Sequence, residues 1–187
     1  ILFKNKNRNQ ISNSVFRKKV QLIFQDPYSS LNPEISIGSS IIEPMIAHKI
    51  FGSKYEMECR AIELLNQVGL SKNDYKKFPN QFSGGQRQRI VIARALALNP
   101  EVIICDESVS ALDVSIQAQI LNLLSDLKEK YLFTFLFISH DMSVIKYFTD
   151  RLIVLKKGKI IEINETDFLF EHSKKLYTKS LLRASDF

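Results

Sequence analysis

A chain of 187 residues, 45% of them apolar, can bury a core of ordinary size, yet its longest apolar or near-apolar run, Tyr131 to Ile138, is far too short to cross a bilayer and no secretory-signal pattern precedes it. The two cysteines, Cys59 and Cys105, have neither paired spacing nor metal-ligand neighbours, which excludes a disulfide framework and leaves two buried thiols in a reducing cytosol. The net charge of +6 is local: residues 1–19 hold Lys4, Lys6, Arg8, Arg17, Lys18 and Lys19 without an acid, and this Asn-rich stretch reads as a solvated connection rather than a nucleic-acid face.

Val20 to Gln25 is predicted as a short strand, followed by a loop at Pro27, Asn32 and Pro33. Helical spacing then covers Ile37 to Lys49, with Ile41, Ile42, Met45 and Ile46 on one side, and Lys54 to Val68, with Ala61, Ile62, Leu64, Leu65 and Val68 on another. Gly69 supplies a C-cap. A further helix opens near Gly84 and runs to about Leu98, stopped by Asn99-Pro100. From Glu101 the chain alternates: a strand to Asp106, a helix from Ser115 to Lys130, a strand from Phe133 to Ile138, and a helix from Met142 to Phe148, the pattern of a parallel α/β sheet. Leu152 to Leu155 and Lys159 to Ile163 flank a turn at Lys156-Lys157-Gly158, and two helices cover the end.

Chemistry is concentrated at two places. Ser83-Gly84-Gly85-Gln86 opens a helix, so bare backbone amides and the positive end of the helix dipole favour an anion there. Val102-Ile103-Ile104-Cys105 closes on Asp106-Glu107, four apolar residues delivering two carboxylates to a sheet edge. Taken with Gln25 in Phe24-Gln25-Asp26-Pro27, with Ser110-Ala111-Leu112-Asp113, and with His140 after the run Phe133 to Ile138, the chain resembles the ATP-binding subunits of ABC transporters. In that family these are the Q-loop, the signature, the Walker B pair, the D-loop and the switch histidine, and they occur here in the family's order. The segment Gln25 to Pro33 and the terminal Tyr177-Thr178-Lys179-Ser180-Leu181-Leu182 are similar to oligopeptide and dipeptide importers.

The resemblance implies an α/β P-loop NTPase domain, in part: a parallel sheet core at residues 1–26 and 99–164, an inserted helical subdomain at 27–98 and a helical tail at 165–187. ATP and Mg²⁺ are the implied cofactors. Asp106 would hold the cation through water, with Gln25 as a neutral oxygen ligand, and Glu107 would orient or deprotonate the attacking water. His140 would hydrogen-bond the γ-phosphate, although Ser139-His140-Asp141 can equally be a helix cap with Asp141 as its capping residue. Ser83, Gly84, Gly85, Gln86 and Asp113 would complete a nucleotide site across a head-to-tail dimer with a second ABC ATPase subunit. Residues 26–36 would dock on transmembrane permease subunits at the cytoplasmic side of the cell membrane, and a peptide-binding protein would be an indirect partner. Two positions depart from the family's common pattern, Ser108 for proline and Phe82 for leucine.

No Gly-x-x-x-x-Gly-Lys-Ser/Thr occurs in these residues, and the chain begins at Ile1, which reads as a domain without its start. The expected function is ATP hydrolysis that energises oligopeptide import, with residues 1–187 alone inactive. The competing function is a non-hydrolysing partner that lends its signature or docking surface to an intact ATPase. An isoelectric point near 9.3 leaves nucleic-acid binding as a formal alternative, against which stands the lack of interleaved aromatics in the basic stretch.

Overall fold

Val102 to Cys105 have the apolar content a strand needs when both its faces are covered, and the computed structural model, which describes residues 2–4, 6–110 and 112–184, places them in a sheet. The chain divides into two compact units, Ile1–Leu136 and Phe137–Phe187.

In the first unit β1 (Leu2–Phe3) and β2 (Lys6–Asn7) form an antiparallel ribbon. Helix α1 (Asn13–Lys19) follows, capped by Ser12, whose hydroxyl accepts from the Val15 amide at 3.3 Å. The basic stretch is therefore folded rather than a bare connection, although α1 buries none of its residues. Phe3 and Phe16 meet edge to face with centroids 5.7 Å apart, and Glu101 receives the ammonium groups of Lys4 and Lys19, each at 2.8 Å. The organising acid comes from elsewhere in the chain, so the local sequence could not announce it.

The hydrogen bond from Lys19, then that from Lys4, holds the Glu101 carboxyl below its ordinary value of 4.5. A depressed carboxylate stabilises the fold above its unfolded value, and that contribution disappears as the pH falls through the folded one. Glu101→Gln is expected to destabilise the fold near neutral pH by less than about 1 kcal/mol, as fits so exposed a cluster, and so to lower the melting temperature. The gap from the parent should close in thermal melts taken toward about pH 3; a gap of constant size would mean that charge has no part in it.

Strand β3 (Val20–Ile23) pairs in parallel with β4 (Val102–Asp106), from Val20 opposite Val102 to Ile23 opposite Cys105, and β5 (Thr134–Ile138) lies next to β4 in the order β3-β4-β5. Parallel neighbours need a crossover, and here it is a helical subdomain. It contains α2 (Pro27–Ser30), α3 (Ile37–Ala47), α4 (Lys54–Gln67) and α5 (Gly84–Leu96). Helix α5 packs against α2, α3, α4, β3 and α6 (Val114–Tyr131), and its second half buries Ile90, Val91, Ile92, Ala93, Ala95 and Leu96.

Several boundaries differ from the sequence expectation. Strand β3 stops at Ile23 rather than Gln25 because the Asp26 carboxylate caps α2, accepting from the amides of Tyr28 at 2.8 Å and Ser29 at 3.2 Å. Helix α5 stops at Leu96, and Asn99 then adopts a left-handed φ of 48°, its side-chain oxygen held by Arg60 at 2.9 Å. Ile46 is 60% exposed: the buried stripe of α3 runs through Ile37, Ile41 and Met45, and Ile46 falls one helical step outside it. Cys59 is exposed rather than buried, since it sits about 200° round α4 from the buried Ala61. Gly69 ends α4 as expected, with φ 78°.

The second unit contains α7 (Met142–Phe148), the antiparallel pair β6 (Arg151–Lys156) and β7 (Lys159–Glu165), and the helices α8 (Thr166–His172) and α9 (Leu176–Arg183). Lys157 and Gly158 both have positive φ, 49° and 74°, the backbone a two-residue hairpin turn requires. Ile145, Leu152, Val154 and Leu169 form its core, joined by Phe137, Ile161, Phe170, Tyr177 and Leu181. The alternate residues of the hairpin, Ile153 opposite Ile163 and Leu155 near Ile160, are 44–61% exposed. Leu22 and Phe24 at the end of β3 are likewise exposed, at 40% and 51%.

Candidate functional site

The carboxylates stand where a strand ends. Ile103 and Cys105 are fully buried, Asp106 is the last residue of β4 and exposed, and Glu107 begins the turn. Burial pushes the Cys105 thiol up to about 12, so it is a packed neutral group and no nucleophile. Glu107 adopts a left-handed backbone with φ 47°, which costs a side chain about 1–2 kcal/mol and points to a constraint imposed by the surroundings. Ser108 and Val109 are each 2% exposed and anchor the turn.

Ser110 closes that turn. Its amide and its hydroxyl both donate to the Glu107 carbonyl, at 3.1 and 2.9 Å, and its Oγ accepts from Gln25 Nε2 at 3.2 Å. Gln25 and the Glu107 turn, both picked from the sequence, are thus brought together through a serine that sequence reasoning placed in a motif without giving it a role. Only the tertiary contact reveals it. Of the same motif, Ala111 lies outside the described residues, and Asp113 occupies the N-cap position of α6 with no side-chain cap hydrogen bond.

Ser83 caps α5, its hydroxyl accepting from the Gln86 amide at 3.3 Å while Gln86 Oε1 accepts from the Ser83 amide at 3.0 Å. With those side chains closed on each other, the amides of Gly84 and Gly85 are the first two of the helix, which have no intrahelical acceptor. A Cβ on Gly85 would lie 2.5 Å from Ile116 Cγ2 of α6, so this glycine also permits a close helix approach. Two arginines of α5 fasten it to the segment after Gln25: the Arg87 guanidinium lies 3.9 Å over the Tyr28 ring, and Arg94 Nη1 donates to the Ser30 carbonyl at 2.6 Å. Tyr28 is itself 61% exposed.

His140 belongs to the second unit, exposed between β5 and α7. The cap of α7 is Asp141, whose Oδ1 accepts from the amides of Ser143 at 2.9 Å and Val144 at 3.3 Å. The histidine is not the capping residue.

The donor set suits a hard divalent cation. Asp106 and Gln25 offer a carboxylate and an amide oxygen, and no group of three His, Cys, Asp or Glu side chains forms a cage among the described residues. Mg²⁺ fits such a site, since it is commonly held by one or two carboxylates with phosphates and water completing its shell.

The family model described as "ABC transporter" matches residues 1–110. The chain belongs to the ABC transporter family. Among the family's members it is 52% identical, over 90% of its length, to the oligopeptide transport ATP-binding protein OppF of Bacillus subtilis, of which it covers 55%. It is 44% identical over 97% of its length to the dipeptide transport ATP-binding protein DppF of Lactococcus lactis, covering 59% of it, and 50% identical over 90% to the glutathione import ATP-binding protein GsiA of Pectobacterium atrosepticum, covering 27%. The chain spans about half the length, or less, of these relatives. Among solved structures, the ABC cassette MJ0796, a dimer in a post-hydrolysis state bound to ADP and Pi, matches with TM-score 0.74 and 32% identity, covering 88% of this chain and 72% of that one. CbiO1 of Clostridium perfringens matches with TM-score 0.79 and 25% identity, covering 91% and 67%. The fold is that of an ABC ATPase domain, a sheet core with an inserted helical subdomain, as the sequence motifs implied.

Proposed function

We propose that the chain is part of the ATP-binding, ATP-hydrolysing subunit that energises import of oligopeptides. The observation that carries this is the 52% and 44% identity, over nine-tenths or more of the chain, to proteins whose names specify oligopeptide and dipeptide transport. Asp106 at the end of β4 would hold the cation through water, with the oxygen of Gln25, from the segment that follows β3, as a further ligand. A bound Mg²⁺ supplies neutralisation of phosphate charge. Glu107 orients and deprotonates the attacking water, and His140 donates to the γ-phosphate. The amides of Gly84 and Gly85, framed by Ser83 and Gln86, meet nucleotide held by a second ATPase subunit, with Asp113 at that interface.

In this reading residues 26–36 are the docking face for the permease, and exposed Tyr28 stacked on Arg87 is the contact that would pass movement to the signature helix. The subunit sits peripherally on the cytoplasmic side of the membrane, with a peptide-binding protein as an indirect partner. Among the described residues no helix is long and apolar enough to cross a membrane, so this reading assigns membrane attachment to partners.

A P-loop supplies the amides and the lysine that hold the phosphates, and residues 1–187 contain no such motif. We therefore expect this segment, expressed alone, to show no turnover of ATP and no tight binding of it. Turnover that is abolished by Glu107→Gln would overturn that expectation. The second reading is a non-hydrolysing partner that lends its signature or docking surface to an intact ATPase. Intact mass and N-terminal sequencing of the natural gene product separate the two: a P-loop ahead of Ile1 supports the ATPase, and a product starting near Ile1 supports the partner.

A further inference from the structure

One hydroxyl joins the two halves of the candidate site. Ser110 Oγ donates to the Glu107 carbonyl at 2.9 Å and accepts from Gln25 Nε2 at 3.2 Å, a residue 85 positions earlier in the chain. A hydroxyl has one proton and two lone pairs, so both bonds form together and neither competes with the other. The Ser110 amide adds a second donor to the same carbonyl at 3.1 Å. Glu107 needs such fastening, because its φ of 47° is a backbone that a side chain keeps only when the surroundings over-determine it.

The amide end matters equally. Only the oxygen of a glutamine can ligate a hard cation, and its nitrogen cannot. With Nε2 tethered to Ser110, the end of Gln25 that remains for a cation is the correct one.

We propose that Ser110 is a positioning residue that orients the Gln25 amide and pins the Glu107 turn at the same time. A change at either side chain then reaches the other through a single oxygen. Its part in catalysis rests on the ATPase function proposed above; the hydrogen-bonded relay does not.

The test uses the natural full-length gene product carrying Ser110→Ala, Gln25→Ala, both together, or Ser110→Thr. Amide hydrogen exchange of the segment 105–113, measured without nucleotide or metal, reads the relay directly. Loss of one hydrogen bond of ordinary strength corresponds to about fivefold faster exchange. Ser110→Ala is expected to produce an acceleration of that order, Gln25→Ala a smaller one in the same segment, and the double variant no more than Ser110→Ala alone. Ser110→Thr, which keeps the hydroxyl, should restore protection. In ATP turnover the same alanine is expected to lower kcat by about fivefold to tenfold with KM within about twofold, and to raise the Mg²⁺ concentration needed for half-maximal binding of a fluorescent ATP analogue. Gln25→Ala that leaves exchange of 105–113 unchanged, or a double variant in which the two effects multiply, overturns the relay. If the unsubstituted protein shows no turnover, the ATPase reading fails alone, and the exchange measurements still decide the relay.

Discussion

In the natural gene product, Glu107→Gln is expected to cut ATP turnover by roughly 10²- to 10⁴-fold, the range a positioned general base contributes, while nucleotide affinity stays within a fewfold. The substitution is nearly isosteric and keeps hydrogen-bonding capacity, so the left-handed turn at φ 47° and its closure by Ser110 should survive it. What is removed is the acceptor for the water's proton. Single-turnover kinetics beside equilibrium binding of ATP separate the two effects. Retention of a tenth or more of the turnover would mean that Glu107 is not the base, and that its strained backbone serves the turn alone.

The second large effect is expected at Gly85. Glycine inside a helix is ordinarily worth replacing, because alanine recovers about 0.5–1 kcal/mol of backbone entropy. Here the sign reverses, since a Cβ would lie 2.5 Å from Ile116 Cγ2, and over-packing of that kind costs about 1–3 kcal/mol. Gly85→Ala should therefore destabilise the protein and abolish turnover in the assembled dimer. Shortening the obstruction with Ile116→Ala distinguishes two causes. If the glycine is needed for packing only, the double variant regains both stability and turnover. The function proposed here predicts that stability returns and turnover does not, because Ile116→Ala relieves the clash with the new Cβ without restoring the side-chain-free backbone that lets nucleotide approach the amides at the start of α5. Thermal melts and ATPase rates of the two single variants and the double variant decide between them.

These two sites differ in how much of them could be read from the residues alone. Four apolar residues closing on Asp106-Glu107 describe a buried strand with acids at its end, and β4 is that strand, because hydrophobic pattern and strand geometry share a short period. Ser83 and Gln86 stand three apart and form a reciprocal cap, again a local interaction that sequence spacing reports directly. The hairpin turn at Lys157-Gly158 and the stop at Gly69 follow from the same kind of short-range constraint.

What stayed hidden depends on partners distant in the chain. The basic stretch 1–19 looked like a bare connection because its acid, Glu101, lies just before β4, and Cys59 looked buried because α4's apolar residues were visible while the direction of its packed face was not. Ser110 was legible only as a member of its motif, since its significance is a bond to Gln25, 85 positions away. The amino-acid sequence by itself determined the order of strands and helices from Ile37 onward, the family and the chemistry of the candidate groups, all of which rest on local spacing and residue type. Tertiary structure alone decided which face of each helix is buried, why Gly85 admits no side chain, and how a serine fastens the glutamine to the glutamate, because each of these is a distance between residues that the chain must fold to bring together.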